Sequence, residues 1–434
     1  MNAGAMRLLA RAGVRVFFRT TEVDHADRLP ADVPVLVVAN HQNGLVDGLL
    51  LIALLPRYPR FLGKATLFKI LPLAPLLKLA GVVPIHRAKD GAGTGGNDET
   101  FRTCRAVLAG GGTVGIFPEG ISHDEAALQP LKTGAARIAL GAVAEGATGM
   151  VIAPVGLSYD DKARFRSRAL VTIGPPIPVP ATGADDRDAV HALTDEIDRA
   201  LRAVSPDFAS TDEMAELAAV AEVVARPIGS EVRGPLGERE ELARSLAHSA
   251  PVARAEVRAA FDAYSRDLAL LGTTDAQVAA GVSPARLRLA VFWAVVRTVL
   301  LAPVALAGYA VHVVPYELMR QVGKLPKNEG VKSTVKLLGC ALLFLVTWVV
   351  VAAVAASRWG AAAFPLVLVA CPLAGYTTVR AVERVYRVGG LLKGFGVLRR
   401  RRDALVSVHE HRAAVIAAAR GAASGAGAGA AGGA

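Results

Sequence analysis

Asn40-His41-Gln42-Asn43-Gly44-Leu45-Val46-Asp47 puts an imidazole and a carboxylate six positions apart. A carboxylate beside a histidine fixes its tautomer and stabilises the cation formed when the ring takes a proton, which is how a general base is made. Six residues turn through about 600° on an ideal helix, so the two would not share a face there. The pair forms only if His41 precedes a helix and folds back over its first turns, which Asn43-Gly44 at a strand-to-helix junction permits. On spacing alone, a surface histidine and an unrelated aspartate fit the same text.

Phe117-Pro118-Glu119-Gly120-Ile121-Ser122-His123 offers a second carboxylate, followed by a glycine. Where a strand gives way to a loop, such residues can bind hydroxyls and turn a backbone N–H toward an anion. A plain Pro-Gly turn uses the same residues. His123 could act as a second base, but a solvated loop histidine fits it better. Val82-Val83-Pro84-Ile85-His86-Arg87 ends on a guanidinium, and Leu62-Gly63-Lys64-Ala65 carries a second cation. Together Lys64 and Arg87 could hold a phosphate; apart, each is an ordinary solvated charge.

These residues need elements to place them. Pro34 to Val38 reads as a buried strand and Gly44 to Leu55 as a helix. Val82–Ile85, Thr113–Phe117 and Val151–Leu157 read as strands, with Phe101–Leu108 and Thr133–Ala144 as helices between them. Strands alternating with helices predict an α/β layer fold. Gly91 to Gly96 matches G-x-G-x-x-G, but Lys89 and Asp90 separate it from the strand, and no acidic residue follows about 20 positions on, so it reads as a flexible loop. No G-x-S-x-G elbow is present, which excludes that route to a covalent serine. Residues 181–280 read as helical, and the Gly/Ala tail 421–434 as disordered.

Hydrophobic residues make up 53% of 434, and the excess is concentrated between Leu289 and Tyr376, which predicts a membrane region. Three apolar segments lie there: Leu289–Val314, Val335–Ala356 and Ala361–Tyr376. Ser357-Arg358-Trp359-Gly360 joins the last two as a tight hairpin whose outer flanks are basic, so both flanks are expected in the cytoplasm. The first segment holds Arg297, costly in lipid, and is expected to be re-entrant or interfacial, because a third span would put the catalytic region outside. Arg7, Arg11, Arg15 and Arg19 rule out a signal-peptide core and predict a basic stripe on an interfacial helix. The net charge of +11, with few aromatic residues, favours anionic lipid over nucleic acid. Cys104, Cys340 and Cys371 form no framework, which fits a reducing compartment.

Taken in order, the motifs resemble those of the glycerolipid acyltransferase family, which includes glycerol-3-phosphate and lysophosphatidate acyltransferases. The resemblance covers about Val35 to Ile173. It matches His41 and Asp47 to the family's His–Asp box, Arg87 to its second block and Glu119 and Gly120 to its Phe-Pro-Glu-Gly block. It also matches Pro154, in Ile152-Ala153-Pro154-Val155-Gly156, to an apolar strand block, and Lys132 and Gly134 to the stretch after the third block. Five residues separate His41 from Asp47, where four are common. That spacing looks like the branch with fungal-type glycerol-3-phosphate and dihydroxyacetone-phosphate acyltransferases. Ile121-Ser122 replaces the usual Thr-Arg, so Lys64 or Lys132 is expected to stand in for the missing phosphate-binding arginine.

The resemblance implies a mixed α/β sheet flanked by helices at 31–180, and the arginine spacing places an amphipathic interfacial helix at 1–30 before it. A helical subdomain at 181–285, the membrane region at 286–380 and a basic cytoplasmic helix at 381–420 would follow. It implies acyl transfer from acyl-CoA or acyl-acyl-carrier-protein to a glycerol-phosphate hydroxyl at the cytoplasmic membrane, with no metal or other cofactor. His41 would act as base and Asp47 would orient it; Arg87 and the Gly120 amide would hold the phosphate, and Glu119 a hydroxyl. Two readings stay open: a lysophospholipid or aminolipid acceptor, and a membrane-anchored lipid-binding protein without catalysis.

Overall fold

The computed structural model describes residues 3–69, 73–85, 97–162, 164–181, 183, 186–230, 232–281, 284–322, 329–400 and 402–431. The chain divides into two compact units, Met1–Thr211 with Pro326–Thr334, and Asp212–Leu325 with Val335–Ala434. Arg87 and the glycine-rich run Gly91–Gly96 lie outside the described residues.

Among the described residues the first unit is built on eight strands: β1 (Phe18–Asp24), β2 (Val35–Ala39), β3 (Arg60–Lys64), β4 (Val83–Ile85), β5 (Thr113–Ile116), β6 (Val151–Tyr159), β7 (Ser167–Ile173) and β8 (Ile177–Pro178). Their order is β1-β7-β6-β2-β5-β3-β4, with β8 also paired to β6. Strands β2 to β6 run parallel, β7 and β8 run antiparallel to β6, and β1 lies parallel to β7. This is the mixed sheet that the sequence predicts. Its helices are α1 (Ala3–Phe17), α2 (Leu45–Leu54), α3 (Leu73–Leu79), α4 (Asn97–Ala109), α5 (Gly134–Ala144) and α6 (Arg187–Val204).

All five residues of β2 are buried, as a strand covered on both faces by helices demands. On one face Leu36, Val38, Ile116 and Ile152 meet Leu108 of α4, Ile138 and Leu140 of α5, and Leu193 and Ile197 of α6. Each such side chain contributes about 1.5–3 kcal/mol by leaving water. Helix α6 thus belongs to the sheet unit, and the helical region proper begins after it.

Helix α1 corrects the simple stripe. Arg7 donates to the carbonyls of Leu55 and Pro56 at 3.0 and 3.3 Å, and Arg11 to that of Ala53 at 3.1 Å. Two of the four arginines therefore satisfy the orphan carbonyls at the end of α2. Met6, Ala10, Val14 and Phe17 are buried, while Leu8, Leu9 and Val16 are exposed.

The second unit holds α7 (Thr211–Ala225), α8 (Leu236–Ala247), α9 (Pro251–Leu271), α10 (Asp275–Ala280), α11 (Pro284–Val322), α12 (Glu329–Trp359), α13 (Ala363–Arg400) and α14 (Arg402–Ala431). Leu287–Val322, Leu338–Trp359 and Ala363–Gly390 are long and apolar enough to cross a membrane. Helix α11 is one unbroken helix without the internal reversal of a re-entrant dip, which leaves the interfacial placement as the expected alternative that fits it. Arg297 then precedes an uncharged stretch from Thr298 to Tyr316, which at about 1.5 Å per residue is close to the thickness of a hydrocarbon core. The tail also differs from expectation, since α14 continues to Ala431; alanine, the strongest helix former, outweighs the scattered glycines.

Candidate active site

Parallel strands all point their carboxyl ends to one edge of a sheet, the usual position for a ligand crevice. His41 follows β2, Lys64 ends β3 and Glu119 follows β5, so the topology brings these three motifs to that edge.

Asn40 sets the point where the chain leaves the sheet. Its side-chain amide donates to the Leu157 carbonyl at 3.0 Å and accepts from the Leu157 N–H at 2.7 Å, which extends the β2–β6 pairing past Ala39. The chain then bends, and Gly44 takes a φ of 55° before α2 begins. Asp47 lies in the first helical turn, where the backbone dipole favours a negative charge. Its Oδ2 accepts from His41 Nδ1 at 2.9 Å and from the Asn43 N–H at 2.7 Å, and its Oδ1 accepts from the Tyr159 hydroxyl. The fold-back geometry that the spacing required is therefore present. Asp47 is fully buried, whereas the His41 side chain keeps 13% exposure. The proton on Nδ1 is assigned by its bond to the carboxylate, which leaves the lone pair on Nε2. Among the described residues Nε2 makes no hydrogen bond. Burial first, then the charge of Asp47, pushes the Tyr159 phenol well above its ordinary value, so it stays a donor.

The imidazole lies flat on Phe117, with centroids 4.1 Å apart and planes 12° apart, and Phe117 stacks in turn on Phe61 at 5.5 Å. Phe61 rests on Gly115, where a Cβ would run into the ring. A glycine inside β5 thus lets an aromatic floor reach the histidine.

Glu119 is buried and fully engaged within the chain. Its Oε1 accepts from the His41 N–H at 2.6 Å; its Oε2 accepts from the Gln129 N–H at 2.9 Å and from His123 Nε2. His123 is 7% exposed, which corrects its reading as a solvated loop residue. Its Nδ1 accepts from the Glu125 N–H at 3.2 Å, and its own N–H donates to the His41 carbonyl at 3.2 Å. Lys162 caps the segment, donating to the His123 carbonyl at 3.2 Å and pairing with Asp124 at 2.8 Å.

The amide of Gly120, expected on a phosphate, donates instead to the Phe117 carbonyl at 3.0 Å. Its φ is 71°, and a Cβ there would meet the Lys132 ammonium at 2.6 Å. Lys132 therefore lies across the Phe-Pro-Glu-Gly turn, held by its own N–H on the Pro118 carbonyl at 2.9 Å. Pro154 is not at a strand exit. It is buried inside β6 opposite Val38, where the partner strand changes from β8, paired as far as Ile152 of β6, to β7, paired from Val155 of β6 onward. A residue without an N–H fits that changeover. Asn40, Phe117 and Tyr159 are the members of this site that sequence reasoning missed, while His123 was named there with another role. Only the first two sit inside motifs that could have flagged them.

Residues 20–158 match the Acyltransferase family model. The chain is 37% identical over 156 residues to glycerol-3-phosphate O-acyltransferase 2 of Saccharomyces cerevisiae, covering 35% of this chain and 21% of that protein. It is 31% identical over 207 residues to 1-acyl-sn-glycerol-3-phosphate acyltransferase alpha of Ovis aries, covering 46% and 66%. The crystal structure of the 1-acyl-sn-glycerophosphate (LPA) acyltransferase from Thermotoga maritima superposes with a TM-score of 0.35 at 21% identity, over 46% of this chain and 78% of that one. The chain thus spans only about a fifth of the length of the yeast relative. Within that reach, the His–Asp pair and the Phe-Pro-Glu-Gly turn both lie inside the stretch that matches the Acyltransferase model.

Proposed function

We propose that this protein is a membrane-bound O-acyltransferase that moves a fatty acyl chain from a thioester to a hydroxyl of glycerol-3-phosphate or a closely related glycerol phosphate. One observation carries the reading. His41 presents Nε2 at the surface while Asp47, sealed from water, holds Nδ1 at 2.9 Å. Nε2 takes the proton of the acceptor hydroxyl, and the oxygen attacks the thioester carbonyl carbon. The carbon–sulfur bond then breaks, and the imidazolium returns its proton to the departing thiolate. The names of the relatives, glycerol-3-phosphate and 1-acylglycerol-3-phosphate acyltransferases, support a phosphorylated glycerol acceptor. Lys132 beside the Phe-Pro-Glu-Gly turn and Lys64 at the end of β3 are the cations suited to its phosphate, together with Arg87 from the following block. The donor is acyl-CoA or acyl-acyl-carrier-protein, and the first unit works at the cytoplasmic face of the cell membrane, where such thioesters form.

One assay tests both acceptor and side. Sealed inverted and right-side-out vesicles receive labelled acyl-CoA with glycerol-3-phosphate, dihydroxyacetone phosphate or lysophosphatidate. Transfer is expected in inverted vesicles, fastest to glycerol-3-phosphate, and Lys132→Ala should raise the KM of that acceptor without changing that of the donor. Product only in right-side-out vesicles would reverse the orientation. A preference for lysophosphatidate would reassign the acceptor.

A further inference from the structure

The segment 119–123 grips both backbone groups of one residue. The N–H of His41 donates to Glu119 Oε1 at 2.6 Å, and its carbonyl accepts from the N–H of His123 at 3.2 Å. The same two residues are joined to each other, side chain to side chain, through Nε2 of His123 and Oε2 of Glu119. Donors and acceptors balance around this pair with a neutral His123. Nδ1 receives the Glu125 N–H, which leaves the ring proton on Nε2 to be donated. The Glu119 side chain is fully buried and that of His123 is 8% exposed, so neither has room for an acceptor molecule.

We propose that Glu119 and His123 are positioning residues that lock the main chain of His41, so that its ring stays on Phe117 with Nδ1 aimed at Asp47. Glu119 then does not bind the acceptor hydroxyl. The proposal rests on the reading of His41 as the base. The need for such a lock follows from the local chain. His41 lies in an irregular bend between β2 and α2, where neither a helix nor a ladder fixes its backbone. A carboxylate taking three donors in a buried site supplies the missing restraint, and charge-assisted bonds are the stronger kind. His123 closes the set by filling the second lone-pair region of Oε2 and tying the turn to the bend.

The test uses the full chain in lipid vesicles with labelled acyl-CoA and glycerol-3-phosphate. His123→Ala should lower kcat by about 10²-fold, the scale of a misplacement of about 1 Å, with both KM values unchanged. His123→Gln, whose amide N–H can reach Glu119, should recover most of that loss and is also the variant that perturbs folding least. Glu119→Gln keeps an acceptor for the His41 N–H but sets its NH₂ against the N–H of Gln129, so it too should lower kcat alone. A raised acceptor KM with kcat preserved in Glu119→Gln would put Glu119 in the acceptor pocket and overturn the proposal. So would a loss in His123→Ala that His123→Gln does not repair, or the absence of any loss. His41→Ala in the same assay separates the two readings. If it stays active, the base assignment fails; if it is inactive while Glu119→Gln changes only the acceptor KM, the lock alone fails.

Discussion

Two aspartates in this molecule, Asp47 fully buried and Asp275 partly so, have similar surroundings and opposite consequences. Asp47 in the first unit accepts from a histidine, a backbone amide and the Tyr159 hydroxyl. Asp275 in the second accepts from Arg226 at 2.5 Å, Arg412 at 2.9 Å and the Tyr264 hydroxyl at 2.8 Å. Both lie in the first turn of a helix, and beside each a tyrosine stays a donor because burial first, and then the aspartate's charge, raises its phenol above the ordinary range. The difference is the third kind of partner. Guanidinium groups hold their protons at any pH a cell meets, so the network around Asp275 can only hold helices together. An imidazole can gain and lose one, and His41 keeps a nitrogen facing outward. A buried carboxylate therefore indicates chemistry only when its partner can titrate and remains accessible.

The comparison can be broken most sharply at the first site. His41→Ala should abolish acyl transfer, and Asp47→Asn should cost roughly 10⁴-fold by the loss of the orienting carboxylate. In both, far-UV circular dichroism and membrane association should match wild type; activity within tenfold in either variant would sink the dyad. At the second site the prediction reverses. Asp275→Ala leaves Arg226 and Arg412 buried against fewer acceptors, which should destabilise the second unit by about 3–5 kcal/mol. All three tryptophans, Trp293, Trp348 and Trp359, lie there, so denaturant titration followed by their fluorescence reads that unit alone. The rate of acyl transfer per folded molecule should not change.

The smallest effect belongs to Tyr159. Its folded-state value is raised, so it is neutral in both states below the unfolded value, and its contribution is complete there. Above about pH 10 the unfolded chain ionises and the folded one does not, so stability falls as pH rises. Tyr159→Phe should remove that alkaline loss and, by removing one donor to a buried carboxylate, cost about 1.5–3 kcal/mol at neutral pH. Parallel alkaline melts of the two proteins check both limbs. A wild-type slope that persists in the variant would assign it to other groups.

The parts of this design that were legible in the sequence are those written locally. β2, α2, β5, α5 and β6 show as apolar runs and periodic stretches, because each is covered on the scale of a few residues. The condition placed on His41 and Asp47, that the histidine precede the helix and fold back, was also readable from Gly44 and the helix geometry. His123 was not, since its burial depends on Lys162, 39 positions on, and on a bond to a residue 78 positions upstream of its partner Glu119. Strand β1, Phe-Arg-Thr-Thr-Glu-Val-Asp, carries too little apolar pattern to announce itself and is a strand only because β7 accepts it. Arg297 looked central to a short segment because the helical run to Val322 has polar residues at its end.

That β1–β7 pairing has a consequence for how the protein is made. Phe18 and Thr20–Asp24 find their partners only at Ser167–Thr172, and Arg166 reaches back to the carbonyls of Arg15 and Phe18. A ribosome delivers the His–Asp box early, but the sheet edge that closes the domain must wait for a segment nearly 150 residues later. In the interval β1 is an open edge with no mate, the kind of surface chaperones attend. Refolding of the first unit should accordingly be slow, set by that one long-range closure rather than by the helices between.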